Sequence, residues 1–491
     1  REKAIERLAM DEKDATDEMQ PLDYILSVDI FSEGTDIVEV NQVIMLRPTQ
    51  SPIVFIQQLG RGLRKAEDKE YVVILDFIGN YKNNFMIPIA LSGDRSYNKD
   101  NVRKYVVSGN SLIPGASTIH FDEISKERIF NAVDKMKGMK AFIKESYISL
   151  KNRLGRIPRL IDFYENEEID PLIIIREYKT YYAMLKSLEK DQKIEEVSDE
   201  ELLILEYLSK TVLSGVRPQE LELLKLMLYH DEISIEKFQE DVSTKFGYLL
   251  NMDGIQSTLN VLGGHFVSND AEYQKYIQMD ILKHNENRSI QRAEGFAQKL
   301  NEKEFHKELK DIISVGLQRY KDKYIQNNNQ DVPFVLYEKY SRRDVSFLMD
   351  CSKDLSSTMY GMKKINDDVF IFVTYHKEKT EDDGKEYIDG KPDYADVFED
   401  NQIFCWDTQI GRGIDSSYTQ NVMKAYRKHL MVKKSDAETT FYYMGQFDIV
   451  EVKPAKKLDN KGKERDIAKF RVKMRHAVRD DLLQYLESNI D

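Results

Sequence analysis

Two arginines near the start of the chain have the type and spacing that phosphoryl-transfer chemistry uses. Arg61 and Arg64 belong to the segment Gln57-Gln58-Leu59-Gly60-Arg61-Gly62-Leu63-Arg64. Ser51 is a good N-cap and Pro52 suits the first helical position, so we predict a helix that runs into this segment. Residues three apart then share a helix face or the turn just past its end. A guanidinium that reaches a transferring phosphoryl group stabilises its charge and is worth about 10³–10⁵ in rate.

Three short segments around the arginines are predicted to be strands that position them. Residues 24–30, 42–46 and 71–77 are short and mostly apolar, as strands of a parallel sheet are. A loop with Gly34 follows the first strand, and glycine lets the backbone come close to a bound group. This order of strands, glycine loop and helix predicts an α/β sheet with ligand loops at the strand ends.

The same residues resemble the second RecA-like domain of superfamily 2 helicases. Ser32-Glu33-Gly34-Thr35-Asp36 is similar to motif V, and residues 57–64 fit the motif VI pattern Q-x-x-G-R-x-x-R at every defined position. The alternative is a surface helix that carries two arginines by chance.

This resemblance implies roles for individual residues. Arg61 and Arg64 would be the catalytic pair that reaches the nucleotide phosphates across the cleft between two RecA-like domains. Asp36 would contact the ribose or the motif VI side chains, and Gly34 would lie where motif V meets the nucleic-acid backbone. The residues implied in cofactor binding are Gly34, Asp36, Gln57 and Gly60.

Half of an ATP site is missing from the sequence. No G-x-x-x-x-G-K-[ST] loop occurs, and the acid pairs Asp122-Glu123 and Asp231-Glu232 lack the apolar strand that precedes a magnesium-binding box. We therefore expect a fragment whose upstream RecA-like domain, before Arg1, completes the site for ATP and Mg²⁺. We expect no ATP hydrolysis from these 491 residues alone.

The overall composition favours a cytoplasmic protein of about three domains. The 491 residues are 41% hydrophobic and 32% charged, with a net charge of −13. No apolar run approaches the roughly 20 residues of a membrane span, so no membrane partner is expected. Cys351 and Cys405 form no disulfide framework, which is typical of a reducing compartment.

Composition along the chain predicts four regions. We expect a partial RecA-like α/β domain over 1–94, a linker over 95–120, a helical connector over 121–330 and an α+β, mainly β, accessory domain over 331–491. Residues 370–375 and 440–445 give strong strand signals. Residues 173–188 and 422–429 are each predicted to form one helix.

The last region resembles an uncharacterised C-terminal domain that follows certain bacterial helicases. The similar segments are 336–345, 372–377 and 431–436. The resemblance implies a restriction or phage-defence setting, and such helicases are often joined to a phospholipase-D-like nuclease.

A basic segment within this acidic chain predicts contact with DNA. Residues 421–480 contain 16 Lys and Arg against 8 Asp and Glu, a net charge of +8. The alternative is a solvated, lysine-rich hairpin without a partner. The candidate DNA-binding residues are Lys433, Lys434, Lys461, Lys463, Arg471 and Lys473.

Two further hypotheses concern the same region. A module that reads modified DNA would need an aromatic pocket, and the candidates for it are Tyr340, Tyr360, Tyr375, Trp406 and Tyr443. Alternatively, Glu451 and Lys453 match the E-x-K half of a metal-dependent nuclease site, with Asp436 or Asp448 as the second acid.

The arginine assignment predicts a specific catalytic defect. In the full protein, Arg64→Ala should lower kcat by about 10³ or more while the fold stays intact, because the charge on the transferring group loses its partner. Nucleic-acid-stimulated ATP turnover measures this effect, and a loss of less than about tenfold would exclude Arg64 as a finger.

Overall fold

A computed structural model of the chain describes most of the residues after 139 and shorter segments before it. The described residues are 2–10, 13, 15–16, 19–26, 40–46, 69, 71–77, 86–92, 102, 105–106, 119–134, 139–166, 168–192, 194–267, 269–285, 289–325, 332–376, 396–435, 438–459 and 462–487. The chain forms two compact units, one of residues 1–157 with 165–170 and the other of 158–164 with 171–491.

The first unit contains the predicted parallel strand pair. Strand β1 pairs with β2 in parallel, from Gln42 opposite Val73 to Met45 opposite Asp76. Two of the three predicted strands are therefore confirmed, while residues 24–26 have no strand conformation and 27–30 lie outside the described residues. The elements of this unit are α1 (Glu2–Leu8), β1 (Gln42–Met45), β2 (Val73–Asp76), α2 (Met86–Ser92), α3 (Glu123–Asp134) and α4 (Met139–Leu154).

The second unit begins with a helical part. Its elements are α5 (Leu160–Glu165), α6 (Pro171–Tyr178), α7 (Tyr181–Leu188), α8 (Asp199–Thr211), α9 (Gln219–Met227), β3 (Glu232–Ser234), α10 (Ile235–Phe246), α11 (Met252–Leu262), α12 (Asp270–Tyr276), β4 (Leu282–Asn285), β5 (Ser289–Arg292), α13 (Glu294–Lys299) and α14 (Lys303–Lys323). The three short strands form an antiparallel sheet in the order β3-β5-β4.

The single helix predicted over 173–188 is wrong, because two helices occupy this segment. Lys179 has a φ of 70°, which ends α6. Thr180 then caps α7, since its Oγ1 accepts a hydrogen bond of 3.0 Å from the backbone N–H of Ala183. The apolar period continues through the break, so the period alone could not show it.

Two glycines let the long helix α14 pack closely on the turn between α8 and α9. Gly215 has a φ of 67°, and a Cβ there would overlap the carbonyl oxygen of Gly316. A Cβ on Gly316 would lie 2.7 Å from Leu221 Cδ1. Gly215 therefore excludes any side chain, whereas a side chain at Gly316 would require Leu221 to move.

The C-terminal part of this unit is an eight-stranded sheet with helices on its faces. The strand order is β7-β8-β11-β12-β13-β10-β9, with β6 also paired to β12. The elements are β6 (Lys339–Tyr340), α15 (Arg342–Leu348), β7 (Met362–Ile365), β8 (Asp368–His376), β9 (Val397–Phe398), β10 (Ile403–Asp407), α16 (Ser417–Lys424), β11 (Arg427–Ser435), β12 (Phe441–Leu458), β13 (Glu464–Met474) and α17 (Asp480–Glu487).

Strand β12 joins the two halves of this sheet. Over its 18 residues it pairs first with β11 and then with β13. The ladder shifts at two irregularities, and Gly445, with a φ of 100°, occupies the first of them. On β8, Ile371 and Val373 face one hydrophobic core while Phe370 and Phe372 face the other, so the sheet carries a core on each side.

The helix predicted over 422–429 is wrong. Helix α16 ends at Lys424, and β11 begins at Arg427 and runs parallel to β8. Strand β11 lies between β8 and β12, and its faces are covered because Leu430 and Val432 enter one core while Met431 enters the other. Its lysine content suggested exposure, and only its place in the sheet shows otherwise.

A buried arginine ties the helical part to the sheet part. The Nη1 of Arg217 donates to Asp350 Oδ1 at 2.9 Å, to the Phe347 carbonyl at 2.5 Å and to Ser257 Oγ at 3.1 Å. Its remaining donors pair with Glu220. Burial raises the pKa of Glu220, and Arg217 offsets part of that rise. The guanidinium thus has a full set of acceptors from both parts.

Removing this cation should destabilise the second unit strongly. Arg217→Met leaves the buried Glu220 carboxyl unpaired, so we expect a loss of about 3–5 kcal/mol of unfolding free energy. Adding Glu220→Gln should restore part of that loss. Denaturant titration measures both, with Lys237→Met on an exposed helix face as the control that stays unchanged. An Arg217→Met variant as stable as the wild type would show that the cluster does not hold the parts together.

Candidate nucleic-acid interface

The residues of the helicase-like motifs lie outside the described part of the chain. Their predicted roles therefore stay predictions. This applies to Gly34, Asp36, Gln57, Gly60, Arg61 and Arg64, and likewise to Lys461 among the candidate DNA-binding residues. The other five DNA-binding candidates lie within the described residues. They are Lys433, Lys434, Lys463, Arg471 and Lys473.

Two of those candidates are buried and therefore do not face solvent. Lys433 and Lys434 are 9% and 4% exposed, on the central strand β11. The ammonium group of Lys433 donates to the Glu438 carbonyl at 3.0 Å and lies 5.5 Å from the centre of the Phe441 ring. Their predicted role on a DNA-facing surface is corrected by this burial, since covered ammonium groups cannot bind phosphates.

The exposed cations instead form a row along β13. Side chains alternate along a strand, so Phe470, Val472 and Met474 enter the core while their neighbours face outwards. The outward neighbours are Lys469, Arg471 and Lys473. We call these three residues the β13 row. Successive members lie about 7 Å apart along the strand.

Two of the three charges in the β13 row form no ion pair within 4.0 Å among the described residues. Arg471 Nη2 lies 2.8 Å from Glu399 Oε2, and its hydrogen bond lowers the pKa of Glu399. Within the described residues, no carboxylate oxygen lies within 4.0 Å of the ammonium group of Lys469 or Lys473.

Lys469 also faces a like charge. It lies directly opposite Lys453 in the antiparallel ladder, and like charges in that position are destabilising. Lys453 is offset by Glu451, whose Oε1 lies 2.8 Å from its Nζ. On its other side, Lys469 lies opposite Asp407 of β10; burial raises the pKa of Asp407, and Lys469 offsets part of that rise.

Lys463 lies apart from this row, in the turn that joins β12 to β13. Its backbone N–H donates to Asp459 Oδ1 at 2.9 Å, and its side chain is exposed.

Lys469 was not among the DNA-binding candidates named from the sequence. The alternation of apolar residues at 470, 472 and 474 was the signal that could have found it.

Four of the five aromatic residues suggested for a reader pocket belong to the cores instead. Tyr340 and Tyr443 lie in one core and Tyr375 and Trp406 in the other, all of them buried. Only Tyr360 of the five is accessible, with 61% of its surface exposed. The suggested set therefore does not line one pocket.

The suggested nuclease residues engage other partners. Glu451 pairs with Lys453, and Asp448 Oδ1 lies 3.0 Å from Arg475 Nη2, which lowers the pKa of Asp448. Asp436 lies outside the described residues. Across the described chain, no group of three or more His, Cys, Asp or Glu side chains could hold a metal ion.

Comparison with known families places these observations in context. Residues 2–66 match the helicase conserved C-terminal domain, and residues 334–486 match a domain of unknown function, DUF3427, seen after superfamily 2 helicases. Residues 2–66 therefore form a helicase conserved C-terminal domain. The recognition from motifs V and VI, and of the domain that follows, is confirmed. The helicase domain implies a RecA-like fold for its segment.

The region between these domains has a family match of its own. Residues 143–322 match a domain of unknown function, DUF8090. No helix in the described part of the chain is long and apolar enough to cross a bilayer.

Similarity to individual proteins is limited to short or distant matches. A Saccharomyces cerevisiae protein named as an ATP-dependent helicase, IRC3, is 38% identical over 72 residues, which is 15% of this chain and 10% of the relative. The solved structure "Sulfur binding domain and SRA domain of ScoMcrA complexed with phosphorothioated DNA" matches at 12% identity and a TM-score of 0.20, over 57% of this chain and 90% of that one. That score is too low to indicate a shared fold.

The burial of Lys433 predicts that reversing its charge affects stability rather than surface binding. Lys433→Glu would place a buried carboxylate against the Phe441 ring, so we expect a loss of about 3 kcal/mol or more of unfolding free energy. Lys364→Glu, the same change at an exposed position of β7, should alter stability by no more than about 0.5 kcal/mol. Thermal unfolding monitored by circular dichroism measures both. Equal stability of the two variants would show that Lys433 is not buried in solution.

Proposed function

We propose that the chain is the C-terminal portion of an ATP-dependent DNA helicase or translocase. Arg61 and Arg64 act as arginine fingers on ATP and Mg²⁺ held by an upstream RecA-like domain. Gly34, Asp36, Gln57 and Gly60 complete the nucleotide side of the cleft. The helicase conserved C-terminal domain at 2–66 supports this assignment, because it contains both motifs.

The sheet part is proposed to hold DNA for this motor. The observation that carries this proposal is the β13 row, in which the exposed Lys469 and Lys473 project from one strand and form no ion pair within 4.0 Å among the described residues. Each phosphate that a cation neutralises releases condensed counterions, so such a row contributes affinity in proportion to its contacts. Lys463, at the turn of the same hairpin, extends the cationic surface.

The domain division and the biological role are proposed from the resemblance to bacterial helicases. We propose the division into a partial RecA-like domain (1–94), linker (95–120), helical connector (121–330) and accessory domain (331–491). A cytoplasmic role in restriction or phage defence, with a fused phospholipase-D-like nuclease, is proposed on the same ground.

The salt dependence of DNA binding tests the β13 row. The logarithm of the affinity for duplex DNA falls with the logarithm of salt concentration by about 0.9 per phosphate contact. Lys469→Gln combined with Lys473→Gln in the 491-residue chain should therefore reduce that slope by about 1.8. Fluorescence anisotropy titrations at several salt concentrations measure the slope.

A variant of equal net charge provides the control. Lys237→Gln combined with Lys303→Gln changes exposed positions in the helical part and should leave the slope unchanged. If both double variants reduce the slope equally, the effect is one of total charge and the row is not the contact surface. Salt-insensitive binding by the wild type would also contradict the proposal.

A further inference from the structure

One partly buried cation of the sheet part is surrounded by aromatic rings instead of carboxylates. The guanidinium carbon of Arg342 lies 4.7 Å from the centre of the Tyr360 ring, 5.2 Å from that of Phe441 and 5.8 Å from that of Phe372. Phe372 and Phe441 pack edge to face at 5.3 Å and belong to the core. The arginine therefore rests on a rigid aromatic base.

The donors of this guanidinium have no acceptor among the described residues. Arg342 forms no ion pair there, and its Nε is buried without a hydrogen-bond partner. Burial lowers the pKa of Arg342, which reflects the cost of removing its charge from water. Contacts with ring faces offset only part of that cost. By contrast, every donor group of Arg217 has an acceptor.

The backbone at Arg342 is fixed by a helix cap, and contacts with three rings position its guanidinium. Arg342 is the first residue of α15, and the preceding Ser341 forms a capping box with Asp344. The site is therefore cationic, planar and preorganised, which suits bidentate recognition of a phosphate.

Tyr360 adds an accessible ring face to this cation. Arg342 covers one face of the ring, yet 61% of the side chain is exposed, and no other ring of the described chain packs on it. Its backbone is anchored, because Gln409 Nε2 donates to the Tyr360 carbonyl at 3.1 Å and Gly361 turns the chain with a φ of 71°. A planar group can stack on the outer face without rearrangement.

We propose that Arg342 and Tyr360 form a binding site for single-stranded nucleic acid. A backbone phosphate accepts hydrogen bonds from the terminal Nη1 and Nη2 groups of Arg342, and a neighbouring base stacks on the outer face of Tyr360. Single strands fit because their bases can leave the stack, whereas those of a duplex are already stacked on each other. This inference rests on the proposed function, since a motor that separates strands supplies this ligand.

Substitution of the exposed ring tests the site with little risk to the fold. In the 491-residue chain, Tyr360→Ala should weaken binding of a fluorescein-labelled oligothymidine of about 20 nucleotides by about fivefold or more, because a base–aromatic stack is lost. Binding of a duplex of equal length should change by less than about twofold, and Tyr360→Phe should bind the single strand as the wild type does. Anisotropy titrations measure these affinities, and circular dichroism confirms the fold.

The chain offers a matched control in Tyr426. Its side chain is 79% exposed and has Arg427 over its ring at 5.9 Å, but that arginine donates to Asp368 Oδ1 at 2.9 Å. Tyr426→Ala should leave single-strand binding unchanged. If Tyr360→Ala also leaves it unchanged, or weakens single-strand and duplex binding equally, the inference is overturned.

The outcomes also separate this inference from the β13 row. If the lysine variants reduce the duplex salt slope while Tyr360→Ala has no effect, the row stands and the site does not. A single-strand defect in Tyr360→Ala with no effect of the lysine variants gives the opposite result. A wild-type chain that binds neither oligonucleotide overturns both.

Discussion

The structure of the sheet part depends on one strand that serves two sets of neighbours. Strand β12 pairs with β6 and β11 at its start and with β13 along the rest of its length. A regular strand could not keep Met444, Phe447 and Val452 on one core, because its side chains alternate strictly between the two faces. The irregularities near Gly445 and Ile449 shift the alternation so that Phe447 and Val452 both meet the same core.

The arginines of the second unit differ in how many of their donors have acceptors. This difference distinguishes a structural arginine from a candidate binding residue. Arg217 has acceptors for its donor groups and joins segments far apart in sequence, which is the pattern of a structural cation. Arg342 is held as firmly, but by rings that offer no lone pairs. Desolvation without acceptors is costly for folding, and a bound anion is the simplest compensation. The same reasoning distinguishes Arg471, already paired with Glu399, from Lys473 beside it.

Features encoded by a few consecutive residues could be predicted from the sequence. Features that depend on partners far away in the chain could not. The parallel strands near Gln42 and Val73, and the strand at Phe370–Tyr375 within β8, follow from short apolar and aromatic runs. Helicase motif VI was recognisable because its whole pattern lies in eight consecutive residues. Strand β11 was missed because its lysines suggest solvent, whereas its burial results from partners contributed by residues on both sides in the sequence. Four of the five aromatic candidates were core residues for the same non-local reason.

The close contact between Gly215 and Gly316 holds the long helix α14 against the turn between α8 and α9. The helix is 21 residues long, about 30 Å, and is held at Gly316 against the turn between α8 and α9. Its end is linked to the sheet part, since Lys323 Nζ lies 2.6 Å from Glu338 Oε2. Each residue inserted between Gly316 and Lys323 would turn that end by about 100° and advance it by about 1.5 Å. The length of this stretch of helix therefore determines whether Lys323 can reach Glu338 while Gly316 stays packed on the turn.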